Sequence, residues 1–363
     1  MSDAGLLHPD TRFRQFESPL RLESGAELPG VTVAYRSWGR LNAAGDNAVL
    51  VCHALTGSAD VDQWWPGLLG PGRALDPERD FIVCSNVLGG CYGSTGPASL
   101  SPATGQRYGA AFPPLTVRDL VAAQARLLET LGVRTLALVV GGSLGGMQAL
   151  EWAALFPKRV RAVAAVSVSA RQSAWCIGLS EAQRHALYAD PRWRDGGYDP
   201  ADPPAAGLAA ARMVAMCSYR HWGEFAARFG RESGPGGFQV ESYLRHQGRK
   251  FTQRFDAASY AALTRIMDSH DLGRDRGGVE AALASLDLPV LVVGSTSDLL
   301  YTPEEQRELA RHLPAAELAW LDSAHGHDAF LIDTGALDAL LRDFRARQAK
   351  AHHLERRRYS CQA

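Results

Sequence analysis

Short, mostly apolar runs recur along the chain, each closed by polar or turn-forming residues: Ala48–Cys52, Phe81–Cys84, Leu136–Val140, Val163–Val168, Val290–Val293 and Glu317–Leu321. Runs this short suit strands covered on both faces. Helical periodicity separates them, and the alternation predicts a mostly parallel, doubly wound α/β sheet. From about Arg171 to Leu286 the pattern becomes helical throughout, with breaks at Tyr198–Pro204 and Gly234–Gly237. This predicts a core made of residues 1–170 and 287–363, with residues 171–286 inserted as a helical lid over the sheet.

Between the run ending at Val140 and a helical segment from Met147 to Phe156 stands Gly141-Gly-Ser-Leu-Gly145. Two readings fit. In one, glycine gives a plain turn its freedom and serine caps the helix. In the other, the G-x-S-x-G pattern is a nucleophile elbow, a strained turn that lifts the serine oxygen clear of the sheet. The five residues alone do not choose.

A serine nucleophile needs a base, and the base needs an acid to orient it, because a free hydroxyl is protonated at neutral pH. The chain supplies both in the order Ser, Asp, His. Val290–Val293 runs into Gly294-Ser-Thr-Ser-Asp298. A helix is announced just beyond by Thr302-Pro-Glu-Glu305, with threonine as cap, proline in the first turn and Glu305 closing a capping box. The next run empties into Asp322-Ser-Ala-His-Gly-His-Asp328, where His325 and His327 compete. An oxyanion needs two donors. The Leu144 N–H, just after the serine, is one candidate, and Leu55 in His53-Ala-Leu-Thr-Gly57 is the other. His53 reads as a residue that shapes that turn. Asn86–Pro97 is glycine-rich but lacks the lysine of a phosphate loop, and reads as a backbone-rich loop lining the site.

Composition narrows the field. Lys and Arg number 38 against 39 Asp and Glu, and no basic stripe carries interleaved aromatics, so nucleic acid is not an expected partner. Arg356–Arg358 reads as a solvated end. No apolar run approaches a membrane span, and the first residues show no secretory pattern. The six cysteines lack metal-site spacing and suit buried thiols in a reducing, cytoplasmic compartment.

At this point the chain resembles the homoserine O-acyltransferases, chiefly the homoserine O-acetyltransferases, of the α/β-hydrolase superfamily. The resemblance rests on His53–Gly57, Asn86–Pro97, Gly141–Trp152, Tyr243–Gly248, Arg254–Tyr260 and Gly326–Leu331. It implies a triad of Ser143, Asp298 and His327, since the family's histidine lies within Gly-His-Asp-Ala-Phe. It also implies that Arg212, Tyr219 and Asp328 hold the amino-acid substrate. A zwitterion suits that set: its carboxylate wants a forked guanidinium and its ammonium a carboxylate. Arg212 and Tyr219 are two helical turns apart and so share a face.

The implied partners are acetyl-CoA or another short acyl-CoA and L-homoserine, with no bound cofactor or metal, and a homodimer. The chain departs from the family in a shorter segment after Gly57 and in His325, where an aromatic residue is usual. Relatives that use succinyl-CoA or accept serine, and an esterase-type hydrolase with the same triad, are the alternatives. A noncatalytic binding protein on the same fold is a further one, which the joint presence of nucleophile, acid and base disfavours.

Overall fold

The structure, a computed structural model, describes the backbone of residues 7–360 and the side chains of residues 7–350. Cys361 and the side chains of Arg356–Arg358 lie outside the described residues. Among those described, eight strands form one sheet: β1 (Arg12–Gln15), β2 (Thr32–Trp38), β3 (Ala48–Cys52), β4 (Phe81–Ser85), β5 (Leu136–Gly142), β6 (Val163–Val166), β7 (Val290–Ser295) and β8 (Ala316–Leu321). Their order is β1-β2-β4-β3-β5-β6-β7-β8. β2 pairs antiparallel with both β1 and β4, and every other pairing is parallel.

The six apolar runs became β3 to β8, with shifted ends. The run expected to reach Val168 stops at Val166 because Ser167 turns with φ 45° while its N–H bonds to the Val293 carbonyl at 2.8 Å. β1 and β2 carried no such signal. β1 is exposed along its whole length, and polar residues interrupt β2.

Period-two alternation divides the core between two faces. Leu50 and Cys52 of β3 point to the side packed by α1 (Val117–Thr130) and α2 (Leu144–Leu155). Val49 and Val51 point the other way, toward Trp65, Phe330 and Phe344. The chain leaves the sheet after β6 and re-enters as its neighbour β7. Between them lie α3 (Ala174–Tyr188), α4 (Ala205–Tyr219), α5 (Trp222–Phe229), α6 (Gln239–Thr252) and α7 (Ala257–Asp268). α4 packs against α3 and α6, and α3 against α7. α8 (Pro303–His312) begins with the expected capping box. Thr302 Oγ1 accepts from the Glu305 N–H, and the Glu305 carboxylate accepts from the Thr302 N–H at 2.8 Å.

The cysteines fit their expectation in part. Cys52, Cys84, Cys91 and Cys176 are buried, but Cys217 is exposed on α4. Among the described residues, no helix is long and apolar enough to cross a membrane.

Candidate active site

Ser143 occupies the single residue between β5 and α2, with φ 57° and ψ −124°, a backbone region that serine rarely adopts. Its side chain makes no capping bond to the helix, so the capping reading fails and the strained turn holds. Close packing fixes the flanking glycines. A Cβ on Gly145 would sit 2.0 Å from the Cys52 carbonyl oxygen, and one on Gly142 would sit 2.6 Å from the Phe330 ring. Leu144 opens α2, so its N–H belongs to the helix turn that has no intrahelical acceptor.

The loop after β3 carries Leu55 into the same narrow cavity as Ser143. His53 pins that loop as expected. Its Nδ1–H donates to the Ala54 carbonyl at 2.8 Å, and its Nε2 accepts from the Val87 N–H at 3.1 Å. Burial pushes the imidazole pKa down to about 4 against the Ala54 bond and Asp60, so the ring is neutral and serves as a strut. The expectation for Asn86–Pro97 needs correcting. These residues do not line the cavity; they support it from behind, through Val87 on His53 and through Tyr92, whose hydroxyl accepts from Arg254 at 2.7 Å. Arg254 in turn donates to the Thr56 carbonyl at 2.9 Å.

A buried amide chain escaped the sequence reading. Gln148 donates to the Leu144 carbonyl at 3.0 Å and the His53 carbonyl at 3.4 Å, while its own carbonyl accepts from Gln124 at 2.7 Å. The chain thus ties the Leu144 and Leu55 segments to one another. A glutamine on a mostly apolar helix, four residues past Leu144, was the available signal.

Asp298 follows β7 and is 1% exposed. Its Oδ1 accepts the N–H groups of Leu300 and Tyr301 at 2.8 and 3.0 Å, and its Oδ2 lies 2.8 Å from His327 Nδ1. The competition between histidines resolves here, because His325 Nδ1 instead faces Glu224 at 3.9 Å. Burial alone would lower the His327 pKa; the Asp298 charge and hydrogen bond, helped by Asp328, outweigh it and leave the pKa raised. The ring is wedged among Tyr219, Tyr301 and Phe330, with centroids 5.9, 5.2 and 5.5 Å away. Gly326 precedes it with φ 65°, and a Cβ there would meet the backbone of Tyr219, Arg220 and His221 at 2.8 to 3.0 Å. Cys176 lines the same cavity, but burial pushes its thiol pKa up to about 12, so it is not a thiolate at neutral pH.

Arg212 and Tyr219 do share a face of α4, with the guanidinium carbon 5.3 Å from the Tyr219 ring and 5.1 Å from the Phe251 ring. Arg212 Nη1 is buried without a hydrogen-bond partner. Asp328 is not a free carboxylate. Arg220 lies against it, Nε to Oδ2 at 3.0 Å, and also reaches Glu224 at 3.2 Å. Burial raises the Asp328 pKa, with Arg220, His327 and Arg212 opposing. Arg220 was not anticipated, and only its place directly after Tyr219 marked it. A larger cavity of about 970 Å³, bordered by Phe112, Trp193, Arg265 and Ile266, opens on the far side of α7 from Thr264 and Met267. None of the expected catalytic or substrate-binding residues lines it, though Pro97 at the end of the glycine-rich loop does.

A serine strained at a strand-to-helix turn, with an aspartate-held histidine on the loops after later strands of one sheet, defines an α/β-hydrolase-fold enzyme. The α/β hydrolase fold family matches residues 47–334. A homoserine O-acetyltransferase from Nostoc punctiforme is 57% identical over 92% of this chain and 96% of its own. The chain belongs to the homoserine O-acetyltransferase family. Among solved structures, the homoserine O-acetyltransferase from Staphylococcus aureus is 28% identical with a TM-score of 0.76, covering 92% of this chain and 94% of that one. The acetyl esterase MekB, also 28% identical, has a TM-score of 0.82 and covers 93% and 97%.

Proposed function

We propose that the protein transfers the acetyl group of acetyl-CoA to the side-chain hydroxyl of L-homoserine by a ping-pong mechanism. His327, oriented by Asp298, takes the Ser143 proton as Oγ attacks the thioester carbonyl. The N–H groups of Leu55 and Leu144 stabilise the oxyanion. The tetrahedral intermediate collapses, the C–S bond breaks, and His327 returns its proton to the CoA sulfur. L-Homoserine then enters, with its carboxylate on Arg212 and Tyr219 beside it. Asp328 takes the ammonium as Arg220 shifts toward Glu224. His327 deprotonates the homoserine hydroxyl, which attacks the acetyl-serine, and the proton returns to Ser143 as O-acetyl-L-homoserine departs. The side chains and the thioester supply all of this chemistry, without a bound cofactor or metal.

The observation that carries this reading is the Asp298-held His327 in a wall it shares, through Tyr219, with the Ser143 cavity. Incubation with acetyl-CoA alone tests it. A burst of free CoA and an acetyl mass on the Ser143 peptide are expected, and turnover with Ser143 unmodified would overturn the covalent route.

Hydrolysis is the second reading, favoured by the likeness to the acetyl esterase MekB. Residues 171–286 act as a lid that keeps water from the acyl-enzyme. Product analysis separates the two, since O-acetyl-L-homoserine marks transfer and acetate marks hydrolysis. A cytoplasmic homodimer completes the proposal. The exposed Trp222 and Phe238 on the segment between β6 and β7 support the dimer, and sedimentation of the purified chain tests it.

A further inference from the structure

Gln183 lies on α3, is 5% exposed, and lines the cavity that holds Ser143 and Tyr219. Its carbonyl end is occupied, because the buried Tyr260 hydroxyl donates to Oε1. The NH2 end is therefore the one left for the cavity. The surroundings connect it to Arg212 through a chain of contacts. The Arg212 guanidinium rests on the rings of Tyr219 and Phe251, Phe251 meets Tyr260 edge-on at 5.5 Å, and Tyr260 holds Gln183. Burial lifts the Tyr260 pKa well above the ordinary phenol range, and Tyr219 adds to this while Arg212 and Arg184 oppose it. The phenol thus stays protonated and able to donate, as it does to Gln183 Oε1.

Resting on the acetyl-transfer reading above, we infer that Gln183 is a substrate-binding residue whose NH2 group, oriented by Tyr260, donates to the α-carboxylate of the acceptor amino acid beside Arg212. The chemistry suits that place. A carboxylate has room for about four donors, more than one guanidinium fork fills. A neutral amide adds a donor without a second buried cation to desolvate. Tyr260 is a positioning residue here, since it reaches the carboxylate only through Gln183.

The test separates the two half-reactions. Gln183→Leu is expected to raise KM for L-homoserine about 10- to 100-fold, the scale of losing one hydrogen bond to a charged group, while the CoA burst with acetyl-CoA keeps its rate and amplitude. Gln183→Glu, of the same shape but with a negative charge toward the carboxylate, should raise KM further and serves if the leucine variant does not fold. Tyr260→Phe should raise KM in the same sense by a smaller factor, again without touching the burst. In a Ser143→Ala background, which binds but cannot turn over, calorimetry with L-homoserine should show the same weakening for Gln183→Leu. An unchanged KM, or equal loss in burst and transfer, would overturn the inference. A wild-type enzyme that gives neither the burst nor O-acetyl-L-homoserine would instead overturn the acetyl-transfer reading beneath it.

Discussion

The sheet side and the helical side of the site are built on opposite plans. On the sheet side, Ser143, Asp298 and His327 follow three parallel strands, β5, β7 and β8, and the carboxylate of Asp298 is fully engaged: two N–H groups on one oxygen and His327 on the other. On the helical side, Arg212 is held by ring faces, its Nη1 has no partner, and Asp328 leans on an arginine from the end of the same helix. A buried polar atom without a partner is unfavourable until a ligand completes it. The Asp298–His327 pair is therefore fixed without any ligand, whereas on the proposed function Arg212 would gain its missing partner only with an amino acid bound.

Breaking the sheet side should do the most damage. Ser143→Ala should abolish the CoA burst. Asp298→Asn should lower the acylation rate about 10⁴-fold, since the histidine loses the partner that fixes its tautomer, and stopped-flow detection of CoA reads both. The helical side should break more selectively. Arg212→Ala should leave the burst intact while transfer to homoserine falls about 10²- to 10³-fold, the scale for a lost desolvated charge partner. Arg212→Lys should keep the charge, lose the fork, and recover only part of this.

The pH profile sharpens the comparison because Asp328 touches both sides. His327 must be neutral to accept the serine proton, so its raised pKa places the acid limb of the acylation rate above pH 6.5, with activity rising as pH passes through it. Asp328→Asn removes one of the upward influences, and the limb of the burst rate should move to lower pH. The smallest effect is expected for His325→Ala, a change of less than about threefold in kcat, because that ring faces Glu224 and leaves Asp298 alone.

Much of the sheet side could be read from the sequence, and the reason is local. A buried parallel strand is written as a contiguous apolar run, and the loop after it carries the chemistry within a few residues, as Asp298 follows Val293. The Thr302 capping box was readable for the same reason. Arg220 on Asp328, Tyr260 on Gln183 and Arg254 on Thr56 join residues far apart in the chain, and no periodicity records such pairs. β1 was missed because its four residues are exposed and hold their place through pairing with β2 rather than burial. Even the choice of His327 over His325 rested on a family motif until the 2.8 Å bond to Asp298 gave it a geometric basis.

Gly326 brings the two sides together at one point. With no side chain, it lets the loop bearing His327 lie directly on the backbone where α4 gives way to α5. In terms of engineering, the inserted helices could not be exchanged without regard to the core they lie on. A change that pushes the α4–α5 junction toward Gly326 by the width of a methyl group would displace His327 as well, so on the proposed function acceptor preference and catalytic competence would shift together.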